Sequence, residues 1–199
     1  TTFGESHGTA LGVVIDGCPP GLKLDLDAIQ AELDRRRPGQ SKLTTPRKEA
    51  DRAEFLSGVL DGVTLGTAIA IQFRNADVDS SKYLNMKDLY RPSHADYTYE
   101  ARYGIRDWRG GGRASARETV SRVAAGAIAR QVLSSRFPGL EVVGWVSRIG
   151  EVACGPVDHR TIVGADVDQF LTRAPDAAAD AAMIARINAA QKARDTVGG

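Results

Sequence analysis

The sequence predicts an α+β fold, and three observations carry that expectation. Strand-like and helix-like segments are mixed along the chain without the regular βαβ rhythm of a doubly wound sheet. Two strand-like runs are joined across Asp61-Gly62, a turn signal of antiparallel pairing. Two helical patterns are apolar on one side, as helices that cover a sheet must be. A chain of 199 residues makes one domain, or two, with enough length to bury a sizeable core.

Taken in order, Ala10-Leu-Gly-Val-Val-Ile-Asp16 reads as a strand closed by Gly17 and the Pro19-Pro20-Gly21 turn. Leu26, Ile29 and Leu33 then recur at helical spacing, with Asp25 or Asp27 as N-cap. Arg35, Arg36 and Arg37 fall in the last turn before Pro38-Gly39, where the helix macrodipole favours cations. Residues 54–58 and 64–73 read as paired strands. Residues 74–114 are polar and rich in Gly, Arg and Tyr, and a loop of that length in a compact domain is more often functional than idle. Ser115-Ala-Arg-Glu118 fits a capping box, so a helix is expected from Ser115 with Val120, Val123, Ala124, Ala127, Ile128 and Val132 as its apolar stripe. Phe137-Pro138-Gly139 ends it, Glu141 to Ile149 reads as a strand, and Asp176 to Arg194 as an Ala-rich final helix.

Composition narrows the classes of function. The hydrophobic fraction of 42% and charged fraction of 26% are those of a globular chain, not a disordered or fibrous one. No apolar run approaches a membrane span, so a cytoplasmic protein without a membrane partner is expected. Cys18 and Cys154 are too few and too far apart for a disulfide framework or a zinc site, and no metal is expected. The net charge of +1 hides two basic stretches, 35–48 and 91–117, followed by an acidic one at 151–180. Those stretches suit an anion-handling region, or else a polyanion or nucleic-acid binding module. Aromatics at 6% supply few stacking platforms for the second reading. The chain opens without Met, its GESHG sequence begins three residues in, and its last residues follow a helical pattern directly; a piece of a longer protein is therefore expected.

Three segments could carry chemistry. Arg109-Gly-Gly-Gly-Arg-Ala-Ser115 runs into the predicted helix as an anion cradle: glycines admit close backbone approach, helix-start amides attract phosphate, and Arg109, Arg113 and Arg117 add charge. It is neither a dinucleotide GxGxxG nor a Walker loop, and a plain glycine linker is the competing reading. His7, in Gly4-Glu-Ser-His-Gly8, sits among small residues and suits proton transfer near neutral pH. His94, in Arg91-Pro-Ser-His-Ala-Asp96, is its candidate partner, whereas His159, between Asp158 and Arg160, reads as surface.

These blocks together resemble the chorismate synthase family. GESHG followed by an apolar strand and Asp16-Gly-Cys-Pro-Pro20 is similar to the family's first signature, and Asp34–Gly39, Arg91–Asp96, Gly112–Thr119, Val123–Gly126 and Asp195–Gly199 are similar to later blocks in the same order. The resemblance covers residues 1 to about 150 and resumes at the final helix. It implies a lyase of the shikimate pathway that converts 5-enolpyruvylshikimate-3-phosphate to chorismate and phosphate by anti-1,4 elimination. It implies reduced FMN as cofactor, lending an electron and recovering it, with NADPH as a candidate reductant, and a cytoplasmic homotetramer. By position His7 would protonate the leaving phosphate and His94 would protonate or polarise the flavin. Arg36, Lys42, Arg91 and Arg113 would bind the substrate's anionic groups. Arg113, Ala114 and Ser115 would contact FMN, with Arg36 and Lys42 available to NADPH. The expected fold is a sandwich of mixed sheets and helices, of which residues 1–199 would be the N-terminal portion, inactive without the remaining half. Lys42 stands where many members carry Arg, Ser93 replaces a usual Gly, and Ala114 replaces a common Ser.

Overall fold

A computed structural model of the chain describes residues 1–39, 50–76 and 78–199. The described residues form two compact units, one running to Pro138 and the other Gly139–Gly199.

In the first unit the strands are β1 (Thr2–Gly4), β2 (Ala10–Ile15), β3 (Glu54–Ser57), β4 (Val59–Leu60), β5 (Val63–Thr64) and β6 (Ile69–Arg74). An antiparallel sheet has the order β1-β2-β6-β3. The two-residue side-chain period decides its faces: Ile69, Ile71 and Phe73 are fully buried, and the register sets them opposite Ile15, Val13 and Leu11. Burying each such side chain is worth about 1.5–3 kcal/mol. Helices α1 (Leu26–Arg36) and α3 (Thr119–Arg136) complete the core through Ile29, Leu33, Val120, Ala124 and Ile128, α3 lying against β2 and β6 and α1 against α3. Between them in sequence lies α2 (Asp96–Tyr103). Asp25 is the N-cap of α1, its carboxylate accepting from the Ala28 amide at 2.9 Å. The expected hairpin closes at Asp61 and Gly62, whose φ of 50° and 77° are those a two-residue hairpin turn requires.

Two expectations are corrected. Ser115 and Glu118 do not form a capping box. The Ser115 hydroxyl accepts from the Arg117 amide, a 3-10 turn spans Ala116–Glu118, and α3 begins only at Thr119. The cause is electrostatic: Glu118 takes a bond of 2.5 Å from the Arg113 guanidinium, and a charge-assisted pair outcompetes a neutral amide. The strand expected over Glu141 to Ile149 shrinks to β7 (Arg148–Ile149), paired with the equally short β8 (Val152–Ala153). Upstream, the Val146 amide donates to the Arg173 carbonyl, a loop partner rather than a strand. The rest of this second unit is α4 (Gly164–Asp168) and α5 (Ala177–Lys192), the latter capped by Asp176. Its core is Ala174, Ala179 and Met183 against Val146, Ile149, Val152 and Cys154.

The first unit also holds a buried ionic network. The Asp51 carboxylate, wholly shielded from solvent, accepts from Arg36 Nη2 at 2.6 Å through one oxygen and from Arg117 Nη1 at 2.7 Å through the other. Arg117 Nε continues to Asn75 Oδ1 at 2.6 Å, and Asn75 Nδ2 donates to the carbonyls of Glu5 and Gly8 at 3.0 and 2.9 Å. Thus α1, the start of α3, β6 and the GESHG turn share one chain of bonds. Removing one partner of a buried ion pair strands the other charge in a poorly solvating interior. Asp51→Asn, which keeps the shape and tolerates the left-handed φ of 44°, is expected to lower unfolding free energy by about 3 kcal/mol in urea titration.

Candidate active site

The GESHG turn is tied down by Asn75, which donates to the Glu5 and Gly8 carbonyls, and by the Gly8 amide, which donates to the Glu5 carbonyl at 2.9 Å. His7 at its tip is 8% exposed. Its Nδ1 lies 3.1 Å from the Ser80 hydroxyl, and its ring meets that of Tyr83 edge-on, centroids 5.1 Å apart. Gly110 lies close against the ring: a Cβ there would stand 2.3 Å from His7 Cδ2 and 2.7 Å from Nε2. Gly110 also has φ +60°, so the position demands glycine on two counts.

Arg91 joins this cluster to the His94 turn. Its guanidinium grips Asp96 with two parallel bonds of 2.8 and 2.9 Å, donates to the Gly110 carbonyl at 2.8 Å, and lies over the Tyr83 ring at 5.7 Å. Its backbone carbonyl accepts from the His94 amide at 3.2 Å. The Arg91 bonds hold the Asp96 carboxyl far below the usual carboxylate range, against the opposing effect of burial. Ser93, before His94, adopts φ +61°, a conformation glycine takes freely, so the tight turn at this point is bought by a strained serine.

His94 itself is exposed and lines a cleft of about 600 Å³. The lining of the cleft includes the apolar or aromatic side chains of Tyr99, Tyr103, Ile105 and Trp108 together with Arg106, Arg109 and Arg113. These arginines are paired: Arg106 with Asp96 and Glu100, Arg109 with Asp107, and Arg113 with Glu118. Burial opposes ionisation of Asp107, but the Arg109 bonds prevail and its carboxyl titrates below the ordinary range. A lining of aromatic rings and paired cations suits a planar ring that carries an anionic arm.

Of the residues singled out from sequence, His94, Arg113 and Ala114 line the cleft, while His7, Arg36, Arg91 and Ser115 are not among its lining residues. His7 and Arg91 come together instead around Tyr83 and Gly110. Arg36 has Nε and Nη2 on Asp51 and Nη1 on Thr119. Ser115 caps the 3-10 turn. Lys42 lies outside the described residues. Arg117, read as part of the anion cradle, points its charge at Asp51. His159 is exposed, as expected, with its ring 5.3 Å from that of Trp145. Ser80, Tyr83, Asn75 and Asp51 were not indicated by any motif; the polar, tyrosine-bearing character of 74–114 was the sole signal for the first three.

Comparison with known proteins accounts for the order of these blocks. The family model described as chorismate synthase matches residues 1–199. Chorismate synthase of Akkermansia muciniphila is 57% identical over the whole chain, which covers 55% of that protein; that of Synechocystis sp. is 55% identical, with 54% covered. A solved structure titled "Crystal Structure of Chorismate Synthase" matches the whole chain and 54% of its own with a TM-score of 0.70 and 28% identity. The chain spans about half the length of the curated relatives it matches.

Two outcomes are expected from this geometry. Gly110→Ala should displace the His7 ring, seen as altered imidazole proton shifts, and destabilise the fold by about 1–2 kcal/mol through left-handed strain. Because the Asp96 carboxyl titrates lower folded than unfolded, its contribution is full above the unfolded value of about 3.9 and is lost as pH falls towards the folded one. Thermal melts should therefore show the advantage of the native protein over Asp96→Asn shrinking below about pH 4.

Proposed function

This chain belongs to the chorismate synthase family, and on that premise we propose that the complete protein converts 5-enolpyruvylshikimate-3-phosphate to chorismate and phosphate by anti-1,4 elimination. The chain is then a portion of a single catalytic domain. The observation that carries the proposal is the pairing of two histidine turns through Arg91: one imidazole enclosed by Ser80, Tyr83 and Gly110, the other open to an aromatic and cationic cleft.

Expelling phosphate from a trianionic-type substrate demands cations to gather its carboxylates and phosphate and an acid at the leaving oxygen. In this reading His7 gives its proton to the departing phosphate oxygen. Its enclosed ring is pre-oriented and loses little freedom when it acts. His94 holds a proton beside the cofactor ring at the cleft. Arg36, Lys42, Arg91 and Arg113 bind the anionic groups, and Arg113, Ala114 and Ser115 hold FMN. Reduced FMN, when bound, supplies the electron density that eases loss of phosphate with no net redox change. NADPH as reductant, with Arg36 and Lys42 as its contacts, and a cytoplasmic homotetrameric assembly belong to the same reading. The alternative, a polyanion or nucleic-acid binder, has few rings to stack bases on, aromatics being 6% of the chain.

The test is addition of substrate to the complete protein with reduced FMN. A perturbed flavin absorbance spectrum is expected; an unchanged spectrum together with tight, strongly salt-dependent RNA binding would overturn the proposal. His7→Ala and His94→Ala should each lower turnover by about 10²–10⁴ while sparing binding. Near-normal turnover in both would remove them from the mechanism.

A further inference from the structure

We propose that Ser80 is a positioning residue that fixes which nitrogen of His7 carries the transferable proton; the proposal rests on the reading of His7 as acid. Ser80 stands at the N-cap of the 3-10 helix Ser81–Met86, where a serine ordinarily accepts from a helix-start amide. It makes no such bond. That duty falls to Asp79, whose carboxylate accepts from the Ser81 amide at 3.1 Å and the Ser81 hydroxyl at 2.5 Å. The Ser80 hydroxyl is turned to His7 Nδ1 instead.

The helix geometry makes a second contact at the same time. In a 3-10 helix, residues three apart eclipse one another, and the Tyr83 amide donates to the Ser80 carbonyl at 3.1 Å. Ser80 and Tyr83 thus present a hydroxyl and a ring edge to one imidazole. Gly110 borders the ring at Cδ2 and Nε2. Charged groups near it include Asp107, which interacts electrostatically with His7, and Arg91 over Tyr83.

The contact of 3.1 Å serves either direction of donation, and in this proposal Nδ1–H is the donor and Ser80 Oγ the acceptor. The proton that leaves departs from Nε2 to the phosphate oxygen, and the ring is left as the neutral Nδ1–H tautomer with its bond to Ser80 intact. Without the hydroxyl, a neutral imidazole prefers the Nε2–H form, and donation from Nε2 loses its favoured product.

The test uses the complete protein with ¹⁵N-labelled histidine. Above the pH at which His7 titrates, its ring nitrogens should report the Nδ1–H tautomer. Ser80→Ala should shift the population to Nε2–H, and Ser80→Thr, which keeps the hydroxyl, should restore it. In turnover, Ser80→Ala should lower kcat by about 10- to 100-fold with KM little changed. The same substitution in a His7→Ala background should add nothing. An Nε2–H tautomer in the native protein, or an equal further loss in the His7→Ala background, would overturn the proposal. If His7→Ala alone leaves turnover intact, the assignment of His7 as acid fails, and the tautomer measurement still decides the role of Ser80.

Discussion

The buried carboxylate of Asp51 is the constraint on which the first unit depends. A lone carboxylate removed from water is strongly destabilising, and two guanidinium groups from distant parts of the chain must meet it. One of them, Arg117, lies 66 residues away, at the threshold of α3. Meeting Asp51 fixes its remaining donors, and those fix Asn75 and the Arg74 carbonyl. Asn75 in turn sets the turn that carries His7. The hydrophobic core brings the sheet and helices together without directing any side chain to one partner; the ionic chain is directional, and it transmits helix position to an imidazole.

The same economy recurs around Asp96, where Arg91 and Arg106 converge on one carboxylate from opposite ends of the segment that contains α2. Arg91 then has a donor left for Gly110 and a face for Tyr83. Both histidine turns are therefore indexed to acids with low exposure, not to the loops that flank them.

Periodicity and turn chemistry made β2, β6, α1, α3 and α5 legible because each obeys a local rule: alternation, an apolar stripe, an aspartate cap. The motifs likewise pointed to His7 and His94. The false capping box shows where local rules end, since Ser115 and Glu118 had the right spacing and a residue two before Ser115 claimed the carboxylate. The overlong strand at 141–149 failed for a related reason: alternation says a segment can pair, and only the rest of the fold says with what. Asp51, Asn75 and Ser80 were illegible because their partners are 15 to 73 residues distant and belong to no fixed spacing. Ser93 is the instructive intermediate. The family's usual glycine marked the position as special, and the positive φ supplies the reason.

The arginines near the cleft meet any newcomer with their charge already matched. Admission of an oxyanion is then a swap of partners, and the carboxylates of Asp96 and Asp107 are each held by a two-pronged grip that a monodentate competitor cannot displace on equal terms. A small ion such as chloride would have to break both bonds of such a grip to reach the guanidinium. Exchange of that kind would favour rigid polydentate acids over loose ones.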